Sequence, residues 1–144
     1  MSRYRVVLFF GILILLTFPS DSIKAFHKDI YYPRAPEALL EILQDMDNPF
    51  SPTRKNIEEG RKVYFGKGLC VKCHGVNGKG VEVPGHPPRN FTDPKWQDVR
   101  TDGEMMWVLK NGSPGTSMPV RVGKIISEEE AWKVILFIRT FAGV

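Results

Sequence analysis

Cys70-Val71-Lys72-Cys73-His74 constrains this chain more than any other stretch. Two thiols three positions apart, followed at once by an imidazole, form the C-x-x-C-H peptide to which a c-type haem is attached. Each thiol can add across one vinyl group of the porphyrin, and the histidine then lies beneath the ring, where it can ligate the iron. One short peptide thus fixes a cofactor covalently and supplies its proximal ligand. At 144 residues the chain has room for one domain plus extensions, and a small helical protein gains much of its core by wrapping around such a cofactor.

Other chemistries open to a C-x-x-C pair are less well served. A thioredoxin-like redox site wants a βαβ context, and nothing around position 70 reads as a buried strand feeding a crossover helix. Structural zinc needs four ligands, but Cys70 and Cys73 are the only cysteines, and His27 and His86 complete no familiar zinc-ligand spacing. A disulfide between the pair would close a very small, strained loop.

A six-coordinate iron needs a second axial ligand from far along the chain. Met118 lies in Asn111-Gly112-Ser113-Pro114-Gly115-Thr116-Ser117-Met118-Pro119, a segment of turn formers whose Pro119 biases its predecessor toward extended backbone. Met1 is the initiator, Met46 lies on an amphipathic stretch, and Met105 and Met106 fall within a helical pattern where packing is the usual explanation. An ordinary loop methionine remains the alternative reading of Met118.

On these residues, from about Thr53 to Val144, the chain resembles a monohaem class I cytochrome c. The resemblance implies an all-α class I cytochrome c fold, a haem wrapped by three to four helices and long loops, here with an additional N-terminal helix. It implies one covalent haem c per chain, with Cys70 and Cys73 as thioether attachment points and His74 and Met118 as iron ligands. In that family a proline carbonyl accepts the ring N–H of the proximal histidine, and Pro87 or Pro88 occupies the similar region. The first and last helices of the family cross at a glycine and an aromatic residue, which Gly60, Tyr64 and Phe137 resemble.

With both axial positions filled by protein, the site favours outer-sphere electron transfer over bond chemistry, and a histidine–methionine pair raises the reduction potential. The expected function is one-electron transfer in an exported respiratory chain, as a soluble carrier or as a relay subunit of a larger complex. No catalytic residue and no small-molecule substrate is required; the partners expected are redox donor and acceptor proteins. The alternative is a haem enzyme or gas sensor with an open distal site.

The N-terminus bears on location. Arg3 and Arg5 precede an apolar run from Val6 to Phe18 that ends at Pro19-Ser20-Asp21-Ser22, the order of a secretory signal. Its 13 residues fall below the roughly 17 to 25 of a spanning helix, although an uncleaved anchor stays open. The organisation expected is therefore a signal over 1–25, an arm over 26–52 and a haem domain over 53–144. The domain would face the periplasm or another exported compartment. Without residues 1–25 the chain carries 17 basic and 15 acidic residues, and it shows no arginine-rich stripe with aromatic interleaving, so nucleic acid is not an expected partner. Lys72, Lys79, Arg89, Lys110, Arg121 and Lys124 lie near the haem-contacting segments, either as a steering ring for an acidic partner or as ordinary solvated surface.

Helical periodicity supplies the rest. In the arm, Leu39, Ile42, Leu43 and Met46 form a stripe that would pack across the domain or dock onto a complex. A helix is expected from Thr53 to Lys67, with Gly60 marking a close helix approach. Thr101-Asp102-Gly103-Glu104 and Ser127-Glu128-Glu129-Glu130 are capping boxes opening two further helices. Met105, Val108 and Leu109 should face inward in the first; Ala131, Val134, Ile135 and Ile138 form the apolar stripe of the second, widened by Trp132, Phe137 and Phe141. Gly75 to Arg100 reads as loop-rich and as one wall of the haem crevice. Within it Arg89, Trp96 and Arg100 can hydrogen-bond a haem propionate or merely pack.

Overall fold

Four helices of the domain start where a short polar side chain satisfies free amides; the short helix at Val71–His74 is the exception. In a computed structural model that describes residues 30–82 and 87–142, a single 3-10 turn at Glu37–Leu39 leads into α1 (Leu40–Gln44), followed by α2 (Arg54–Phe65), α3 (Val71–His74), α4 (Pro94–Val99), α5 (Asp102–Asn111) and α6 (Glu128–Arg139). Thr53 caps α2 by accepting from the Asn56 amide, and α5 and α6 open with both halves of their capping boxes made, Thr101 with Glu104 and Ser127 with Glu130. The described residues contain no strand, only one bridge between Val122 and Ile126, so the all-α class I expectation holds. The segment read as a signal lies outside the described residues, as does His86. No described helix is long and apolar enough to cross a membrane.

The core forms where α2 crosses α6. An added Cβ at Gly60 would collide with the Lys133 carbonyl, which is the close approach that justifies a glycine inside a helix. One turn later Tyr64 is wholly buried and meets Phe137 edge-on, with ring centroids 5.2 Å apart, while its hydroxyl donates to the Gly75 carbonyl at 2.8 Å. Ala131, Trp132 and Val134 through Ile138 are all buried on α6. Lys133 interrupts that run and spans outward to Glu59 and Glu129, each at 2.6 Å.

Two local readings are refined. The loop-rich stretch Gly75–Arg100 contains one helix that the sequence reading did not name: Asp93 accepts from the Lys95 and Trp96 amides, Pro94 takes the first helical position, and α4 follows. The segment is six residues long, too short for a hydrophobic period to announce it. The arm stripe also does not become a buried face. Only Leu43 is buried, against α5, where a side chain at Gly103 would strike the Leu43 carbonyl; Leu39 and Met46 are exposed and Ile42 is 63% exposed. α1 has five residues, so one turn can be pressed onto the domain and no more.

α4 is tied to α6 through Gln97. Its Nε2 donates to the carbonyls of Phe91 at 2.7 Å and Ile138 at 3.1 Å, and its Oε1 accepts from Arg139 Nη1 at 2.9 Å. Gln97→Ala would take the side-chain donor from the Phe91 carbonyl and an acceptor from Arg139, while the Ile138 carbonyl keeps the Phe141 amide, at a cost of about 2 kcal/mol. Urea unfolding of the haem-loaded protein should show that loss; a midpoint equal to that of the parent would mean these groups find other partners.

Candidate haem site

The attachment peptide is folded into one short helix. Cys70 is buried at the start of α3, Cys73 is exposed, both thiols are free, and His74 closes the turn. Gly75, at φ +75°, ends α3, and the chain doubles back so that Gly80 and Val81 donate to the carbonyls of His74 and Cys73. Burial pushes the Cys70 thiol up to about 11, the opposite of the lowered thiol that a redox dithiol requires. Among the described residues no three His, Cys, Asp or Glu side chains converge on a metal position, so the zinc reading gains nothing.

The imidazole of His74 is oriented from two sides. Its Nδ1 donates to the Arg89 carbonyl at 3.1 Å, and its ring stacks on Phe91 with centroids 4.2 Å apart and planes 16° from parallel. Nε2 is thereby the ring nitrogen left available to a metal. Burial holds the imidazole below its usual pKa, with the Arg89 carbonyl opposing and the charges of Arg121 and Arg89 adding to the shift, so the ring is neutral and competent to bind a metal. The acceptor is Arg89, not Pro87 or Pro88: the turn after α3 sets the register, and the carbonyl one residue past Pro88 arrives at the ring. Every residue has a carbonyl, so no sequence signal distinguishes this one. Phe91 carries no signal of its role either, since it sits in a stretch without period.

Met118 is presented by a loop that is hydrogen-bonded within itself. Its carbonyl accepts from the Ser113 amide at 3.0 Å, its amide donates to Thr116 Oγ1 at 3.1 Å, and Thr116 Oγ1 donates to the Ser113 carbonyl at 2.7 Å. Gly112, at φ +75°, turns the chain out of α5 with its α-carbon against the Met118 carbonyl, a place where an added Cβ would lie 2.9 Å from that oxygen. The chain then returns to α5, where the Leu109 carbonyl accepts from the amides of Arg121 and Val122. Met118 is half-buried and packs on the same apolar cluster that contains Cys70 and Phe91. Met105 and Met106 are buried in α5 as core residues. Two unbridged cysteines, one buried and one exposed, an oriented neutral imidazole and a thioether on a loop hydrogen-bonded within itself are a donor set that fits a covalently attached haem.

The basic residues around this site are unlike one another. Lys72, Lys79 and Lys124 are exposed, and Lys110 pairs with Glu128 at 2.8 Å. Arg121 lies close enough to Cys70 and His74 for its charge to act on both. Arg89 is half-buried and Arg100 is turned inward, 5% exposed, with Nη1 on Glu104 at 3.0 Å and Nη2 on the Tyr31 carbonyl at 2.8 Å. Trp96 is buried beside Phe91, with ring centroids 5.4 Å apart.

Among solved structures, the chain is similar to one from the reducing HAO-like protein complex of Kuenenia stuttgartiensis, at 26% identity and a TM-score of 0.54; the match covers 67% of this chain and 49% of that one, so this chain spans about half its length. Cytochrome cL of the marine methylotrophic bacterium Methylophaga aminisulfidivorans shares the fold, with a TM-score of 0.52 at 17% identity over 74% of this chain and 68% of that one. No curated protein matches. The family model described as cytochrome c matches residues 57–142, a span that holds the attachment peptide, the methionine loop and the α2–α6 crossing. On that match, and on the helices that carry it, this chain belongs to the cytochrome c family, whose members hold haem c covalently.

Proposed function

We propose that this chain is a one-electron carrier with a single haem c, attached through Cys70 and Cys73 and ligated by His74 and Met118. The observation that carries the reading is the fixed imidazole that follows the two free cysteines: His74 is held by the Arg89 carbonyl and by Phe91, and Met118, on a loop hydrogen-bonded within itself, packs on the cluster that contains Phe91. When bound, the haem supplies a metal that changes oxidation state by one electron. The protein's part is to keep both ligand atoms in place during that change and to cover the site with apolar side chains, which keeps reorganisation small. A single C-x-x-C-H in the sequence supports one haem. The order of basic, apolar and small polar residues over 1–25 supports an exported compartment, with the periplasm as the setting and respiratory donor and acceptor proteins as partners.

Within that function, a relay subunit is favoured by the exposed Leu39, Ile42 and Met46 of the arm and by the likeness to a chain that belongs to a complex. A freely diffusing carrier is favoured by the modest net charge expected once residues 1–25 are gone. Deleting residues 26–52 from the haem-loaded protein should leave its optical spectrum unchanged in both cases and release it from a partner or membrane only in the first.

Met118→Ala tests the coordination. The ferric protein is expected to lose its sulfur-to-iron absorption band, and the potential to fall by on the order of 0.2 V, a fraction of the roughly 0.8 V over which axial ligands set haem potentials. A parent protein that lacks that band and binds carbon monoxide readily when reduced would instead support the enzyme or sensor reading.

A further inference from the structure

The arm turns most of its apolar side chains outward and rims them with one sign of charge. Leu39, Ile42 and Met46 are exposed, and so are Glu37, Glu41, Asp45 and Asp47 around them. No lysine or arginine occurs between Arg34 and Arg54. The segment is fixed to the domain: the Leu43 carbonyl accepts from Thr101 Oγ1 at 3.1 Å and lies against Gly103, and Asn48 Nδ2 donates to the Trp132 carbonyl at 3.0 Å. Exposed apolar groups with a polar rim on such a surface mark an interaction site. Among the described residues none of the four carboxylates is in an ion pair, whereas Glu58, Glu59, Glu104 and the three glutamates that open α6 each hold a cation.

The attachment loop carries the opposite pattern. Val81 and Gly80 donate to the carbonyls of Cys73 at 2.8 Å and His74 at 2.9 Å, which folds residues 75–81 back onto α3 and brings Lys79 to the helix that carries Lys72. Both lysines are exposed, and among the described residues neither is in an ion pair. Val76, 72% exposed, and Val81 are exposed apolar side chains of the same loop, and Glu82 is the one carboxylate in its described part. On α2, Arg54, Lys55 and Lys62 are also exposed cations, but the one exposed large apolar side chain there, Phe65, already lies under the Arg61 guanidinium. Arm against arm would set four carboxylates against four, and an anionic lipid surface would repel the same rim. Among the described residues no ion pair joins the arm to the attachment loop, so within one molecule the two patterns do not meet.

We propose that the arm of one copy of this chain docks on the attachment loop of a second copy, with Leu39, Ile42 and Met46 meeting Val76 and Val81 while the acidic rim faces Lys72 and Lys79. The contact joins two different surfaces, so it propagates into open chains or closes into rings. A contact of this size falls below the roughly 1,200 Å² of ordinary specific interfaces, and its charges are screened over about 10 Å at 0.1 M salt, so the association is weak and fades as salt rises. It deepens the relay reading, on which its consequence rests: each docked copy has its haem peptide against a neighbour's arm and withheld from other redox partners.

The test is sedimentation equilibrium of the full-length haem-loaded protein at low and high salt, with two charge-reversed variants: Glu37→Lys with Glu41→Lys, and Lys72→Glu with Lys79→Glu. All four side chains are exposed, so both variants should keep the parent's optical spectrum. The parent is expected to exceed monomer mass as its concentration rises to about 1 mM at low salt, and to return to monomer in about 0.5 M salt. Each variant alone should associate at least about tenfold more weakly than the parent. Mixed in equal amounts, the two variants should form one-to-one pairs and nothing larger, because the intact arm of one then meets the intact loop of the other. Should the loop variant fail to load haem, Lys79→Glu alone takes its place. A parent that stays monomeric at low salt would overturn the proposal, as would parental association in the arm variant, association that survives high salt, or a mixture that does not pair. Binding of a monomeric parent to phosphatidylcholine vesicles would overturn it in favour of a lipid surface. Failure of the underlying haem reading would look different, because the parent itself would then lack covalent haem.

Discussion

With Cys70 and Cys73 both replaced by alanine, the chain matured in a haem-attaching host is expected to carry no covalent haem, and acid–acetone extraction should remove all pigment from it. The loss extends to the fold. Cys70 belongs to the buried cluster with Tyr64, Phe91, Ile135 and Phe137, and His74 leans on Phe91 of the same cluster, so a porphyrin attached there would border the core that α2 and α6 build. A domain of this size has roughly 5–15 kcal/mol of stability in hand. Untethered, the haem would be retained by coordination alone. The two single variants should differ: Cys70→Ala also empties a buried position, whereas Cys73 is exposed, so Cys70→Ala should be the less stable by about 1 kcal/mol. Pigment that survives extraction in the double variant would refute thioether attachment at these residues.

Gly60→Ala is expected to be the most damaging single change away from the cofactor. Alanine would contribute about 1 kcal/mol through helix propensity. Against that, its methyl group would overlap the Lys133 carbonyl, a backbone atom that no rotamer change can move aside. Overpacking of this kind costs typically 1–3 kcal/mol and more where backbone must shift. Relief requires α2 and α6 to separate, which loosens Tyr64 from Phe137 and takes the Tyr64 hydroxyl off the Gly75 carbonyl at the end of the attachment helix. A net loss of about 3 kcal/mol should lower the melting temperature by on the order of 10–20 °C. A calorimetric scan of the haem-loaded protein checks it; a melting temperature within about 3 °C of the parent would show that the crossing tolerates a side chain.

Much of this was readable in the chain because it depends on near neighbours in sequence. The attachment peptide is five consecutive residues, and the capping boxes at Thr101 and Ser127 are four each, so their spacing alone specifies them. Gly60 could be read as a crossing point because a glycine inside a good helical pattern has few other reasons to be there. The α4 helix was hidden by its shortness, though Asp93-Pro94 was a legible start signal. The arm misled for the opposite reason: Leu39, Ile42, Leu43 and Met46 have the period of a buried stripe, but only one turn finds a surface to rest on.

Local sequence determined the haem peptide, the helix starts, the glycine at the crossing and the methionine on its turn-forming loop, because each is decided by bonds and sterics within a few residues. Tertiary structure alone decided that the Arg89 carbonyl, not that of Pro87 or Pro88, meets His74, that Phe91 stacks on that ring, and that Tyr31 of the arm is held by Asp93 and Arg100. Those contacts join segments brought together by the turn after α3 and by the docking of the arm on Asp93 and Arg100. A one-residue change in that turn would hand His74 a different carbonyl while leaving every local pattern in the sequence intact.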